Sequence, residues 1–466
     1  MRRAVFLWLV HFIRLYMNIR LATAALMLAC STLVFANQTP DSLSNLNLHA
    51  IQAPPDADKT LQSITTLPLQ HQGDSHWRLP AGLYTGNFVL DVPIHLECES
   101  GAVLSAAGQK NVLNIRAADA TLENCRLEDW GKNLTDMNAG IFVERTAERA
   151  KILGNSLQGP GFGIWVDATP GVSVISNKVQ GDNSLRTQDR GNGLHFFAVR
   201  FATIKDNEIW HVRDGIYIDA SNDNVIDGNR LRDMRYGVHY MFSNRNKVIN
   251  NETRRTRTGY ALMQSRQLTV LNNYSDHDEN YGILMNYVTY STLQDNFVTA
   301  VQAGVGDGIH ISGGEGKGLF IYNSLFNTVS GNHFENSALG IHLTAGSEDN
   351  KIYHNSFVNN QQQVKYVALR YQEWSHEGQG NFWSDYLGWD RDDNGIGDVP
   401  YEPNDNVDRL LWTYPQVRLL MHSPGIEVLR LVQRAFPVVK YPGVQDSHPL
   451  MRPVRVMRPR PEGKHE

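Results

Sequence analysis

Cysteine is scarce: three residues among 466 exclude a disulfide scaffold. Charge of one sign is scarce as well. Lys and Arg number 43 against 48 Asp and Glu, a formal net charge of −5, so the basic surplus that broad nucleic-acid binding requires is missing and no nucleic-acid partner is expected. Beyond the first three dozen residues no apolar run reaches membrane-spanning length. A chain that is 41% hydrophobic and 20% charged is neither disordered nor a coiled coil. Glycine is plentiful instead, with 38 residues, and asparagine recurs along the whole chain; both mark turns.

The early apolar run, residues 21–35, follows Arg14 and Arg20 and ends at Val34-Phe35-Ala36, which offers small residues for cleavage. Residues 1–36 therefore read as an export signal, with an uncleaved anchor helix as the alternative. The run is short for a span. Its removal takes away four arginines and no acid, leaving a more acidic mature chain. The protein is expected outside the cytoplasm, in the periplasm of a Gram-negative cell.

An internal repeat decides the architecture. Gly140, Gly163, Gly193, Gly215, Gly237, Gly259, Gly282, Gly308 and Gly340 each open an apolar tripeptide, at steps of 22 to 32 residues. Fourteen residues after six of them stand Asn177, Asn207, Asn229, Asn251, Asn273 and Asn296, while Asn155 and Asn355 fall at fifteen. Asn332 is delayed by an insertion containing residues 313–318. The intervening segments are too short for helices and rich in β-branched residues. One glycine turn and one stacked Asn per coil describe a right-handed parallel β-helix, in which each coil covers its neighbour and one long core replaces the two or three domains that length alone would suggest. The expected plan is a linker or cap over 37–74, the β-helix over 75–365, a loop and helix region over 366–451, and a disordered tail over 452–466. Cys98 and Cys125 lie 27 residues apart, near coil spacing, and read either as stacked buried thiols or as a disulfide.

After each glycine, alternation sends positions one and three inward and positions two and four outward. The outward stripe reads Trp165 and Asp167, His195 and Phe197, Tyr217 and Asp219, His239 and Met241, Ala261 and Met263, His310 and Ser312, His342 and Thr344. Imidazole and thioether on one face suit a soft metal. Met241 and Met263 share a slot in consecutive coils about 4.8 Å apart, and His239 lies on the same face about 6.5–7 Å from Met241. These three make a candidate Cu(I) site, with His195, two coils away, as a transfer or second site. Two other readings compete. Met241 and Met263 also suit an apolar contact patch for a protein partner. Tyr217, Asp219, His239 and His195 could instead serve a uronan epimerase or lyase, or a carbohydrate-binding groove, with Arg200 or Arg213 as charge neutraliser.

Past the repeats, Gly380-Asn381-Phe382-Trp383-Ser384-Asp385-Tyr386 leads into an Asp-x-Asp-x-Asn-Gly run. Asp390, Asp392, Asn394 and Asp398 have the spacing of oxygen ligands for calcium, although Tyr401 replaces the closing Glu of an EF-hand. Ser423 and Pro424 open a helix carrying Ile426, Leu429 and Val432 on one face, which either caps the solenoid or docks on a partner.

The coil pattern, the segment 380–412 and the ending Asp446-Ser447-His448-Pro449-Leu450-Met451 together resemble the NosD family of periplasmic β-helix proteins, needed to mature nitrous oxide reductase. The resemblance covers essentially the whole mature chain. It implies a non-enzymatic role in assembling a copper centre, with copper held transiently. The partners it implies are the membrane and ATPase subunits of an ABC transporter, a membrane-anchored copper chaperone and nitrous oxide reductase itself.

Overall fold

The computed structural model describes residues 61–303, 316–344, 346–366, 370–404, 416, 423–435 and 443–456. The expected export signal, residues 1–36, and His310 with Ser312 therefore lie outside the described residues. Three sheets of thirteen strands each wind into a parallel β-helix. Each coil but the last visits sheet A, which holds the glycine repeats, then sheet B, then sheet C, as in Phe162–Asp167, Ser173–Ile175 and Lys178–Gln180. The strands run from Gln62–Ser63 to Phe382–Trp383, so coil-forming residues lie on both sides of the 75–365 span. Inward side chains such as Ile164, Ile204, Ile216, Ile226, Val238 and Ile283 are fully buried and form one continuous core.

The repeat glycine is not a turn. It sits inside the sheet A strand, where a Cβ would come within 2.5–2.9 Å of the carbonyl oxygen of the residue at the same position one coil on. In Gly237 it would also strike the buried Thr253 side chain. Both the glycine and the apolar residue after it thus face the core, so the alternation slips by one and the residue before the glycine turns outward. One repeat was also misplaced. The strand following Tyr281–Asn286 in sheet A is Lys317–Tyr322, so Gly318, not Gly308, holds the eighth place. The insertion precedes the glycine rather than following it, and Asn332 then falls at the usual fourteen.

The asparagines stack as expected. Asn229 receives through its Oδ1 the Asn207 backbone N–H (3.0 Å) and side-chain amide (2.8 Å), and donates its own amide to Asn251 Oδ1 (2.9 Å) and to the Ile204 carbonyl (3.0 Å). The ladder begins where Cys125 N–H meets Asn155 and continues past Asn355 to Asn381. There a residue 65 positions away closes it: Asp446 accepts the Asn381 N–H at 2.6 Å and the Trp383 indole N–H at 2.8 Å. Cys98 and Cys125 form a disulfide between adjacent coils.

At the same end, Phe357, Trp383 and Tyr401 stack ring on ring, with centroids 4.5 and 4.7 Å apart, covering the last coil. Gln372–Glu373 pairs with Val444–Gln445 over it. Helix α1, Pro424–Ala435, starts at Ser423 as expected; it buries Ile426 but leaves Val428 and Leu431 more than half exposed.

Candidate functional site

The outward columns of sheet A are in register as the spacing required. Trp165, His195, Tyr217, His239, Ala261, Leu284, Phe320 and His342 form one column, and Asp167, Phe197, Asp219, Met241, Met263, Asn286 and Tyr322 the next. The first column is not a solvated face: Trp165, His195, His239 and Ala261 are all buried. Its rings stack along the axis, Trp165 on His195 at 3.9 Å and Tyr217 on His239 at 4.3 Å, with His195 edge-on to Tyr217 at 4.7 Å. The Tyr217 ring therefore separates the two histidines, and His195 is not a ligand to the same ion as His239.

Met241 and Met263 are directly paired and half-buried. His239 lies two residues before Met241, held by groups the outward stripe did not include. Its Nδ1 is 3.1 Å from Asp214 Oδ2, and Arg235 grips the same carboxylate through Nε (2.7 Å) and a terminal nitrogen (2.6 Å). Burial alone would raise the Asp214 carboxyl. The hydrogen bonds from His239 and Arg235, with their charges, outweigh it and hold the group at about 2. The other imidazole nitrogen, Nε2, is sealed from solvent with no hydrogen-bond partner among the described residues. A carboxylate-oriented imidazole with a vacant nitrogen, beside a thioether pair, fits Cu(I): soft donors, with a hydrogen-bonding partner that aims the ring. Among the described residues no three His, Cys, Asp or Glu side chains are grouped so that they could hold a metal ion, so a site here would have to draw on methionine sulfur.

Asp214 and Asn192 escaped the sequence reading because strict alternation places the residue before each glycine in the core; Arg235 lies one residue further back, outside the positions that the stripe counted. The signal that could have found the first two is a polar residue directly before the glycine, which most other coils fill differently.

The remaining polar groups of the face are wired for structure. Asn192 donates its side-chain amide to His195 Nδ1 (3.0 Å) and accepts from Arg213 Nε (3.1 Å). His195 is pushed down to about 3 by burial and by the Arg213 charge. Tyr217 is pushed up to about 12 by burial and by Asp219 and Asp214, so it keeps its proton and makes a poor base for abstracting one from a uronate. Arg200 turns away to Asp223 on the A–B edge.

A family profile described as a periplasmic copper-binding protein, NosD, matches residues 175–388. A NosD of Stutzerimonas stutzeri, named a probable ABC transporter binding protein, is 63% identical over 392 residues, 84% of this chain and 90% of that one. The chain belongs to the NosD family. A second NosD with the same name, from Pseudomonas aeruginosa, is 61% identical over 400 residues, covering 86% of this chain and 93% of its own. The NosD relatives are thus named as binding proteins, not as enzymes. Solved structures with some likeness include a Yersinia enterocolitica family 28 exopolygalacturonase (11% identity, TM-score 0.45, 66% of this chain and 77% of that one) and a periplasmic alginate epimerase (13%, 0.39, 66% and 84%). At that distance neither says anything of the chemistry here.

In this NosD chain the side chains of the acidic loop are bonded within their own turn, and nothing in their arrangement adds support for calcium. Asp390 accepts the Asn394 N–H (3.2 Å) and the Gly395 N–H (2.8 Å), and Asp398 accepts the Arg391 N–H (2.9 Å). Asn394 donates to Asp392 and accepts from the Ile396 N–H. These bonds close the turn, and among the described residues no three His, Cys, Asp or Glu side chains are grouped so that they could hold a metal ion. Among the described residues no helix is long and apolar enough to cross a membrane.

Proposed function

We propose that this chain is a periplasmic accessory protein that takes up Cu(I) at His239, Met241 and Met263 and passes it on during maturation of the copper centre of nitrous oxide reductase. The observation that carries the reading is the vacant His239 Nε2, oriented through Nδ1 by Asp214, next to the register-paired methionines. The printed description of the family as copper-binding supports it. A competitive Cu(I) titration tests it: His239→Ala and the double variant Met241→Ala/Met263→Ala should each weaken binding by more than about tenfold. Equal affinity in all three proteins leaves the methionines as an apolar contact patch and ends the copper reading.

The partners follow from the same reading. An ABC transporter associates with the chain through helix α1, supported by the exposed Val428 and Leu431 and by the relatives' name; a membrane-anchored copper chaperone and nitrous oxide reductase are donor and recipient. Because Asp446 closes the ladder end, the test replaces surface residues of the helix and leaves the rest of the C-terminal segment in place. Val428→Ser/Leu431→Ser should abolish co-purification with the transporter while leaving thermal unfolding unchanged. Retained association would sink the assignment to α1.

A further inference from the structure

Two of the outward histidines look alike in sequence and are wired in opposite senses. Asn192 and Asp214 both stand immediately before a repeat glycine, in adjacent coils, and each is gripped by the arginine that lies 21 residues on, Arg213 or Arg235. The difference is one atom type, amide against carboxylate. An ionised carboxylate only accepts, so the proton between Asp214 and His239 sits on His239 Nδ1, and in the neutral form of the ring the vacant Nε2 carries the lone pair. For Asn192 the arginine settles the amide orientation. Arg213 can only donate, so Oδ1 faces it and the NH2 group faces His195; Nδ1 must then accept and the proton sits on Nε2. His195 Nε2 is buried without a partner too, but it is an N–H, not a donor atom for a metal.

We infer that the residue before the repeat glycine is a positioning residue that selects which histidine can ligate copper: Asp214 makes His239 a ligand, and Asn192 keeps His195 from being one. This assignment rests on the copper reading for its consequence, though not for its geometry. It turns His195 from a transfer site into a hydrogen-bond donor, and it limits the face to one imidazole ligand in this region. Cu(I) loaded at His239 consequently has no second imidazole in the neighbouring coils to migrate to.

The two coils are near-copies, so one isosteric exchange in each direction should interconvert them. Asp214→Asn would let Arg235 claim the oxygen and turn the NH2 group to His239, as Asn192 does for His195. Asn192→Asp would do the reverse. The measurement is histidine 15N NMR on the metal-free full chain, with His195→Gln and His239→Gln to assign the two rings, followed by competitive Cu(I) titration. The expected result is a proton on Nδ1 of His239 and on Nε2 of His195 in the wild type. Asp214→Asn should move the His239 proton to Nε2 and weaken Cu(I) binding about 10–100-fold. Asn192→Asp should move the His195 proton to Nδ1. A wild-type His239 protonated at Nε2, or the same tautomer for both rings, overturns the inference without any variant needing to fold. Tautomers as assigned, together with no loss of Cu(I) affinity in His239→Ala, uphold the wiring and overturn the copper reading instead.

Discussion

The asparagine ladder and the outward face of sheet A are built from the same coils at the same pitch, yet they treat polar groups in opposite ways. Along the ladder every Asn side chain is buried and its amide and oxygen are both bonded, coil after coil with the same partners. On the sheet A face His195 Nε2 and His239 Nε2 are buried and left without a partner, and successive coils differ in residue type. An unsatisfied buried nitrogen costs free energy. Repetition with satisfaction marks the scaffold, and variation without satisfaction sets the sheet A face apart from it.

Breaking the ladder should have the largest effect. Asn229→Ala removes the acceptor of two Asn207 donors and the donor to the Ile204 carbonyl, and is expected to lower unfolding free energy by about 3 kcal/mol in denaturant titration, with Asn251→Ala similar. Wild-type stability in both would erase the distinction between the two regions.

A fully satisfied polar group also carries a cost if it is charged. Asp278 is fully buried and bonded to the hydroxyls of Thr253, Thr256 and Ser275 and to the Thr256 N–H, yet burial dominates and raises it from 3.8 to about 6. Its folded value exceeds its unfolded one, so the folded state holds the proton more tightly. The resulting stability is present below pH 4 and lost as pH rises through 6, by up to about 3 kcal/mol. Asp278→Asn should be free of that loss, so the stability difference between variant and wild type should grow between pH 4 and 7. A difference that stays constant with pH would show that the hydroxyls fully compensate the charge.

The face should behave in the converse way. Met241→Leu/Met263→Leu conserves volume and is expected to change stability by less than about 1.5 kcal/mol, while removing most Cu(I) affinity. A large stability loss would make the pair scaffold rather than site. The smallest effect belongs to the acidic loop: chelator or added calcium should leave the melting temperature unchanged, and Asp390→Ala should cost about 1 kcal/mol through the lost turn hydrogen bonds.

Most of the fold was legible because coil pitch imposes a spacing on two residue types at once. The reading slipped where an insertion carried its own Gly-Ile-His and passed for a coil, although the fourteen-residue step to Asn332 already favoured Gly318 over Gly308. The candidate site was legible in its outward column, His239 with Met241 and Met263, because the column obeys alternation. Asp214 and Asn192 were not, because the glycine that follows each of them breaks the alternation used to sort faces. Asp446 was hidden for another reason: its contact with Asn381 spans 65 residues and leaves no periodic trace.

That contact has a further consequence. In the ladder each Asn donates one amide hydrogen to the next Asn in the same direction along the axis, from Asn155 to Asn177 and onward to Asn381. Ten side-chain dipoles thus add head to tail into a macrodipole whose electropositive end emerges at the last coil. A carboxylate is the capping group such an end calls for, as at the start of an α-helix. The chain spends a long C-terminal excursion to bring Asp446 to that point, so the solenoid has an electrical polarity as well as a direction of chain, and its two ends cannot be closed by the same chemistry.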